Sequence, residues 1–168
     1  MKRSLLALAL IVGGAAVAQA EILYSHHYSN THQATPGNPT GTTNATGVVM
    51  GLGGTITPCF TGTVRFAISG TIANATAIAE GGKVQIYYGT GSASANGTTC
   101  STAGTTRTAV GGFVQYIAAT TAQKAPFSVQ AIVSGLTLGT AYWYDACLAA
   151  ITAGTATIAD VSLSANEL

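Results

Sequence analysis

Charged side chains are scarce in this chain: Asp, Glu, Lys and Arg make up 7% of its 168 residues, against roughly a quarter in an average soluble domain. Catalysis, metal binding and nucleic-acid binding all draw on charged or imidazole groups, so their scarcity narrows the field. Only three histidines occur, His26, His27 and His32, and they cluster near the start of the chain. A hydrolytic triad needs a histidine beside its nucleophile, and no Gly-x-Ser-x-Gly elbow is present. Asp145, Asp160, Glu80 and Glu167 sit in no recognisable glycosidase arrangement of facing carboxylates. Three cysteines without a Cys-x-x-Cys spacing exclude zinc-ribbon and thioredoxin-type readings. The expectation is a protein without catalytic residues, cofactor or metal.

One long apolar run does occur. Lys2 and Arg3 precede the continuous stretch Leu5 to Val17, which Ala18-Gln19-Ala20 follows. This is the three-part plan of a cleavable secretory signal, and its apolar part is short for a membrane span. Residues 1–20 are therefore read as a signal peptide, and the mature chain is expected outside the cytoplasm, periplasmic or extracellular. From Glu21 onward Arg65, Lys83, Arg107 and Lys124 face Glu21, Glu80, Asp145, Asp160 and Glu167, a net charge of −1. Without a basic patch, nucleic acid is not an expected partner. No later run is long enough to span a bilayer, so no membrane contact is expected after signal cleavage.

Residues 21–46 are polar and irregular, with Pro36-Gly37-Asn38-Pro39 breaking any regular structure. They read as a flexible, disordered arm. The domain proper is expected over residues 47–168, where the pattern changes to alternation. Val64, Phe66 and Ile68 fall on one face of a strand, and Val84, Ile86 and Tyr88 on one face of another. Phe127, Val129, Ala131 and Val133 lie opposite Ser128, Gln130 and Ile132. Period-two alternation is the mark of a half-buried strand. Glycines at 70, 81–82, 89, 111–112, 135, 139 and 154 fall where turns are needed. The fold class is all-β, a sandwich of antiparallel sheets, with Gly89 to Thr108 as a long surface loop.

Most of the aromatic surface gathers at Tyr142-Trp143-Tyr144, together with Tyr87, Tyr88 and Tyr116. Tyr142 and Tyr144 face one way while Trp143, Asp145 and Cys147 face the other. One face should be core. The favoured expectation buries both faces within the sandwich and its oligomer, with Tyr142 and Tyr144 beside Tyr88 at a subunit contact. The alternative is an exposed sugar-binding platform, because Tyr and Trp are enriched where one side is apolar and the other wet. Asp145 then needs a partner such as Arg65 or backbone N–H groups. Three cysteines in an exported chain allow one internal disulfide. Cys59 and Cys100 both lie in polar, turn-rich surroundings and are the expected pair, beside the alternative of three unpaired thiols.

The stretch Thr61-Gly62-Thr63-Val64-Arg65-Phe66-Ala67-Ile68-Ser69-Gly70, the paired segments Phe127 to Leu136 and Leu138 to Trp143, and the ending Ala159 to Leu168 resemble strands of the complement globular-head and tumour-necrosis-factor-like jelly rolls. The series Gly51 to Pro58, Tyr88 to Gly91 and Ala156 to Ser162 is more similar still to uncharacterised members from bacteriophage and prophage gene clusters. The resemblance implies a jelly roll, and an immunoglobulin-like sandwich is the runner-up, which composition alone does not separate from it. It also implies self-association as a homotrimer and service as a receptor-binding or virion-surface head, with a cell-surface glycan or protein as receptor. The alternative function is a monomeric carbohydrate-binding module using Tyr87, Trp143 or the 89–108 loop.

Overall fold

A computed structural model of the chain describes residues 28–33, 41–74, 81–100, 107–117, 123–152 and 154–168. The signal peptide assigned to residues 1–20, with His26 and His27, lies outside the described residues. Among the described residues ten strands are formed: β1 (Tyr28–Gln33), β2 (Gly41–Thr42), β3 (Val48–Val49), β4 (Gly54–Ile56), β5 (Val64–Asn74), β6 (Gly82–Thr90), β7 (Arg107–Tyr116), β8 (Ala125–Val133), β9 (Tyr142–Ala149) and β10 (Ala156–Glu167).

They build two antiparallel sheets. Sheet A runs β1-β10-β5-β8 with β2 also on β10, and sheet B runs β3-β9-β6-β7 with β4 also on β9. Among the described strands only β6 and β7 pair as sequence neighbours, and the remaining pairings join strands far apart in the chain. This is jelly-roll wiring, in which Greek-key connections carry the chain repeatedly from one sheet to the other.

The segment read as a flexible arm, residues 21–46, is corrected in part. Tyr28–Gln33 pairs antiparallel with Gln33 opposite Val161 and Tyr28 opposite Asn166, and Gly41–Thr42 pairs with Ala156 and Thr157. A polar stretch can hold an edge position because its backbone N–H and C=O groups complete the ladder whatever its side chains are.

The alternating residues meet between the sheets. Val64, Phe66, Ile68 and Ile72 of β5, Val84 and Ile86 of β6, Phe127 and Val129 of β8, and Val161, Leu163 and Ala165 of β10 are all buried. Ring contacts knit their centre: Phe66 stacks on Tyr88 at 5.6 Å between centroids and meets Tyr144 at 5.3 Å. Gly54 makes room for this packing, because a Cβ there would collide with the phenol of Tyr144. Two bulges bend the sheets. One interrupts β10 between Ala159 and Ser162, with Asp160 at φ +52°, and the other shifts β6 against β7, where Gly111 takes φ +64°.

Candidate functional site

The aromatic strand is interior on both sides. Tyr142, Trp143 and Tyr144 are 8%, 3% and 0% exposed, and every residue of β9 is buried. Tyr142, Tyr144 and half-buried Tyr88 point between the sheets, where Tyr88 and Tyr142 approach to 6.2 Å. The Tyr142 hydroxyl accepts from the Thr137 amide at 3.0 Å. The expected interface or sugar platform of Tyr88, Tyr142, Tyr144 and Trp143 is therefore corrected. Three of its rings fill the core, and Trp143, on the opposite face, is covered by the chain itself.

That cover comes from Ala109 and Phe113 of β7 and from Cys100, at the end of the loop after β6. Residues 91–100 run beside β3, with the Val49 amide donating to Thr98 O at 2.8 Å, Gly97 N to Val49 O at 2.8 Å and Cys100 N to Gly47 O at 3.0 Å. The Trp143 indole N–H donates to Thr90 O at 3.3 Å. A disulfide joins Cys100 to Cys147 of β9. The expected Cys59–Cys100 pair is thus corrected: Cys100 has the apolar-strand cysteine as its partner, and Cys59 keeps a free, half-buried thiol that donates to Thr57 O at 3.2 Å. Polar surroundings misled the pairing because the loop that holds Cys100 folds down onto a buried strand. Tyr87, Trp143 and Cys147 form a second apolar cluster on this outer face, flanked by Cys100, Ala109 and Phe113.

Asp145 sits in the same face, 1% exposed. Its partner is backbone rather than Arg65: Oδ1 accepts from the Leu52 amide at 3.1 Å and the Ala146 amide at 2.6 Å. Burial pushes its carboxyl up to about 6, against the pull of the amides of Ala146, Leu52, Gly51 and Gly53. The carboxylate thereby ties the β3–β4 connection down onto β9. Tyr87, opposite Asp145 on β6, has its phenol pushed up by burial, partly offset by the Arg107 guanidinium.

A second carboxylate site lies at one end of the sandwich, and no motif announced it. The Glu167 carboxylate accepts four successive amides, from Cys59 at 2.9 Å, Phe60 at 2.8 Å, Thr61 at 2.6 Å and Gly62 at 3.0 Å. Burial works to raise its pKa, but the amides of Cys59, Phe60, Gly62 and Thr61 together outweigh it and hold it at about 2. The loop end is braced further by Leu136 N on Gly62 O, Gly139 N on Pro58 O and Leu168 N on Thr63 O. Three exposed apolar side chains stand on this braced end: Phe60, Leu138 and Leu168, each at least half exposed. A residue pair 105 or more positions apart leaves no local signal, which is why the sequence did not reveal the site.

Other charged groups are also used on backbone. Lys83 Nζ donates to Ala45 O at 3.2 Å and lies 5.6 Å above the Phe113 ring, while Arg107 Nη1 donates to Thr99 O at 3.3 Å. A half-open cleft of about 170 Å³ on sheet A is lined by Thr71, Lys124, Thr157 and Ala159 among others, with no carboxylate in its wall. Its hydroxyls are engaged, Thr71 Oγ1 with Ala159 O and Thr157 Oγ1 with Ala73 O. Among the described residues no group of three or more His, Cys, Asp or Glu could hold a metal ion. Among the described residues no helix is long and apolar enough to cross a membrane. His32 enters β1 opposite Ser162.

No family model and no curated protein matches the chain. Among solved structures it is similar to the Gt strain of infectious bursal disease virus, at TM-score 0.46 and 12% identity over 82% of this chain and 32% of that one. It is also similar to the EclA C-terminal domain, a sugar-binding protein, at TM-score 0.33 and 12% identity over 80% of this chain and 76% of that one. A third likeness is to the CBM22-1 xylan-binding domain of Xyn10C from Paenibacillus barcinonensis, at TM-score 0.37 and 11% identity over 83% and 94%. The chain spans about a third of the length of the viral chain. Likenesses this distant leave the fold assignment to the strand pairing itself.

Proposed function

We propose that this protein is a non-enzymatic β-sandwich head that works by surface contact, as a structural or adhesive component, exported or displayed on a virion. The observation that carries this reading is the use made of its few charges. Asp145, Glu167, Lys83 and Arg107 all bond to backbone groups, so the side chains best suited to chemistry serve as braces. What the rigid loop end presents instead is apolar surface, at Leu138 and Leu168 beside Phe60. Clustered exposed apolar side chains mark contact surfaces more often than reaction sites.

Self-association, as the homotrimer that the jelly-roll resemblance implies, would place that end rather than β9 at the contact. Light scattering on the chain from Glu21 should then give an oligomer at micromolar concentration. The L138S/L168S double variant should give a folded monomer. A monomeric wild type, or an oligomer that ignores both substitutions, would count against this reading.

A further inference from the structure

We propose that residues 91–100 form a redox-released strap, whose fastening to sheet B is the Cys100–Cys147 disulfide. Reduction frees the strap and uncovers the Tyr87–Trp143 cluster, while the core between the sheets stays folded. The segment reads Gly-Ser-Ala-Ser-Ala-Asn-Gly-Thr-Thr-Cys, and most of it is exposed. Before Cys100 it offers no large apolar side chain with which to grip the sheet. Its polar ties to the body are three main-chain bonds to Gly47 and Val49 and the Arg107 guanidinium on Thr99 O, on exposed backbone where water can replace each of them. The covalent bond is therefore what makes the cover durable.

The cluster beneath is separate from the main core. Tyr87, Trp143 and Cys147 face outward with Phe113 and Ala109, whereas Phe66, Tyr144, Leu148 and their neighbours lie between the sheets. Opening the strap thus removes no side chain from the inner packing.

Access also favours one sulfur. Cys147 is fully buried and Cys100 is half-buried, so an incoming thiolate reaches Cys100 Sγ first. A dithiol reductant attacks there, forming a mixed disulfide and expelling Cys147 as a thiolate, which takes up a proton. The second thiol of the reductant then displaces Cys100. One disulfide is reduced to two thiols and the reductant is oxidised to a disulfide, with two electrons and two protons transferred.

Trp143 is the only tryptophan in the chain and reports on the cover directly. The experiment uses the chain from Glu21 carrying C59S, which removes the spare thiol and with it disulfide exchange. The protein is compared oxidised, reduced with dithiothreitol, and as the C59S/C100S variant under oxidising conditions. Emission wavelength, acrylamide quenching and amide hydrogen exchange are read together. Both the reduced protein and the variant should show red-shifted emission and quenching raised several-fold. Exchange at the Val49 and Gly97 amides should quicken at least tenfold more than at the mid-strand amides of β5 and β10, which lose only the protection that the drop in global stability removes. An unshifted, poorly quenched Trp143 in both would overturn the proposal, since hydrogen bonds alone would then hold the strap. Quickening in β5 and β10 as large as in the strap would overturn it too, because the strap would then open only with the whole fold.

Discussion

The outer faces of the two sheets are finished in opposite ways. On sheet A, β5 opens with buried and more exposed residues in strict turn, and the outward set includes Arg65, Ala67 and Ser69. The long strand β10 behaves similarly, with Thr157, Ser162 and Ser164 partly open to solvent. On sheet B, β9 is buried at all eight positions, its outer face packed by Cys100 of a disulfide-fastened loop, by Ala109 and Phe113 of β7 and by the β3–β4 connection at Leu52. A sheet with one wet face needs only alternation. A sheet covered on both faces takes apolar and aromatic residues at successive positions, as Tyr142-Trp143-Tyr144 does.

This contrast explains what could be read in advance. The strands of sheet A and the inner half of β6 were legible because period-two alternation maps directly onto Val64, Phe66, Ile68, Val84 and Ile86, which are all buried. The outer face of β9 was not legible, because Trp143, Asp145 and Cys147 are bonded to residues 53, 93 and 47 positions away, and no local pattern encodes such a cover. The same limit applies to Glu167 and the Cys59–Gly62 amides. For Asp145, burial physics did narrow the options to a charged partner or backbone donors, and backbone donors are what it has. The strands β1 and β2 escaped notice because edge pairing asks little of side-chain pattern.

The largest expected effect comes from the inner core that both sheets share. Phe66→Ala should cost about 3–5 kcal/mol in denaturant unfolding, because Phe66 is fully buried against Tyr88 and Tyr144. Replacing Tyr142 and Tyr144 together with Ser should likewise unfold the protein rather than release a folded monomer. A folded double variant would show that the sandwich interior is not where these rings lie.

Next in size is the fastening of sheet B. Cys100→Ser should lower the unfolding free energy by about 2–4 kcal/mol, the usual range for a cross-link closing a loop of this length. On sheet A the corresponding device is the edge strand. Removing the chain through Gln33 should lower the melting temperature by more than about 4 °C, since β10 loses its outer ladder partner. An unchanged melting temperature would mean that β10 needs no outer neighbour.

The pH dependence separates the two carboxylates and is smaller. Asp145 holds its proton more tightly folded than unfolded, from an ordinary value of 3.8 to about 6. The folded state therefore binds more protons in that window, and stability should rise as pH falls from above 6 to about 4. Glu167 is shifted the other way, from 4.5 to about 2, so its contribution is present above pH 4.5 and is lost as pH falls toward 2. Asp145→Asn should flatten the upper limb and Glu167→Gln the lower limb of a stability–pH curve. If each substitution alters the other limb, the assignments are reversed.

The smallest effect belongs to the open face of sheet A. Ser69→Ala, on an exposed outward position of β5, should change stability by no more than about 0.5 kcal/mol. A loss of several times that size would indicate that this face is covered too.

The strand β9 of sheet B is closed on both faces within a single chain, and Trp143 tests that directly. In the native, oxidised protein at a dilution where it is monomeric, the account predicts blue-shifted tryptophan emission with little quenching by acrylamide. Emission typical of a wet indole, quenched nearly as readily as free tryptophan, would contradict it.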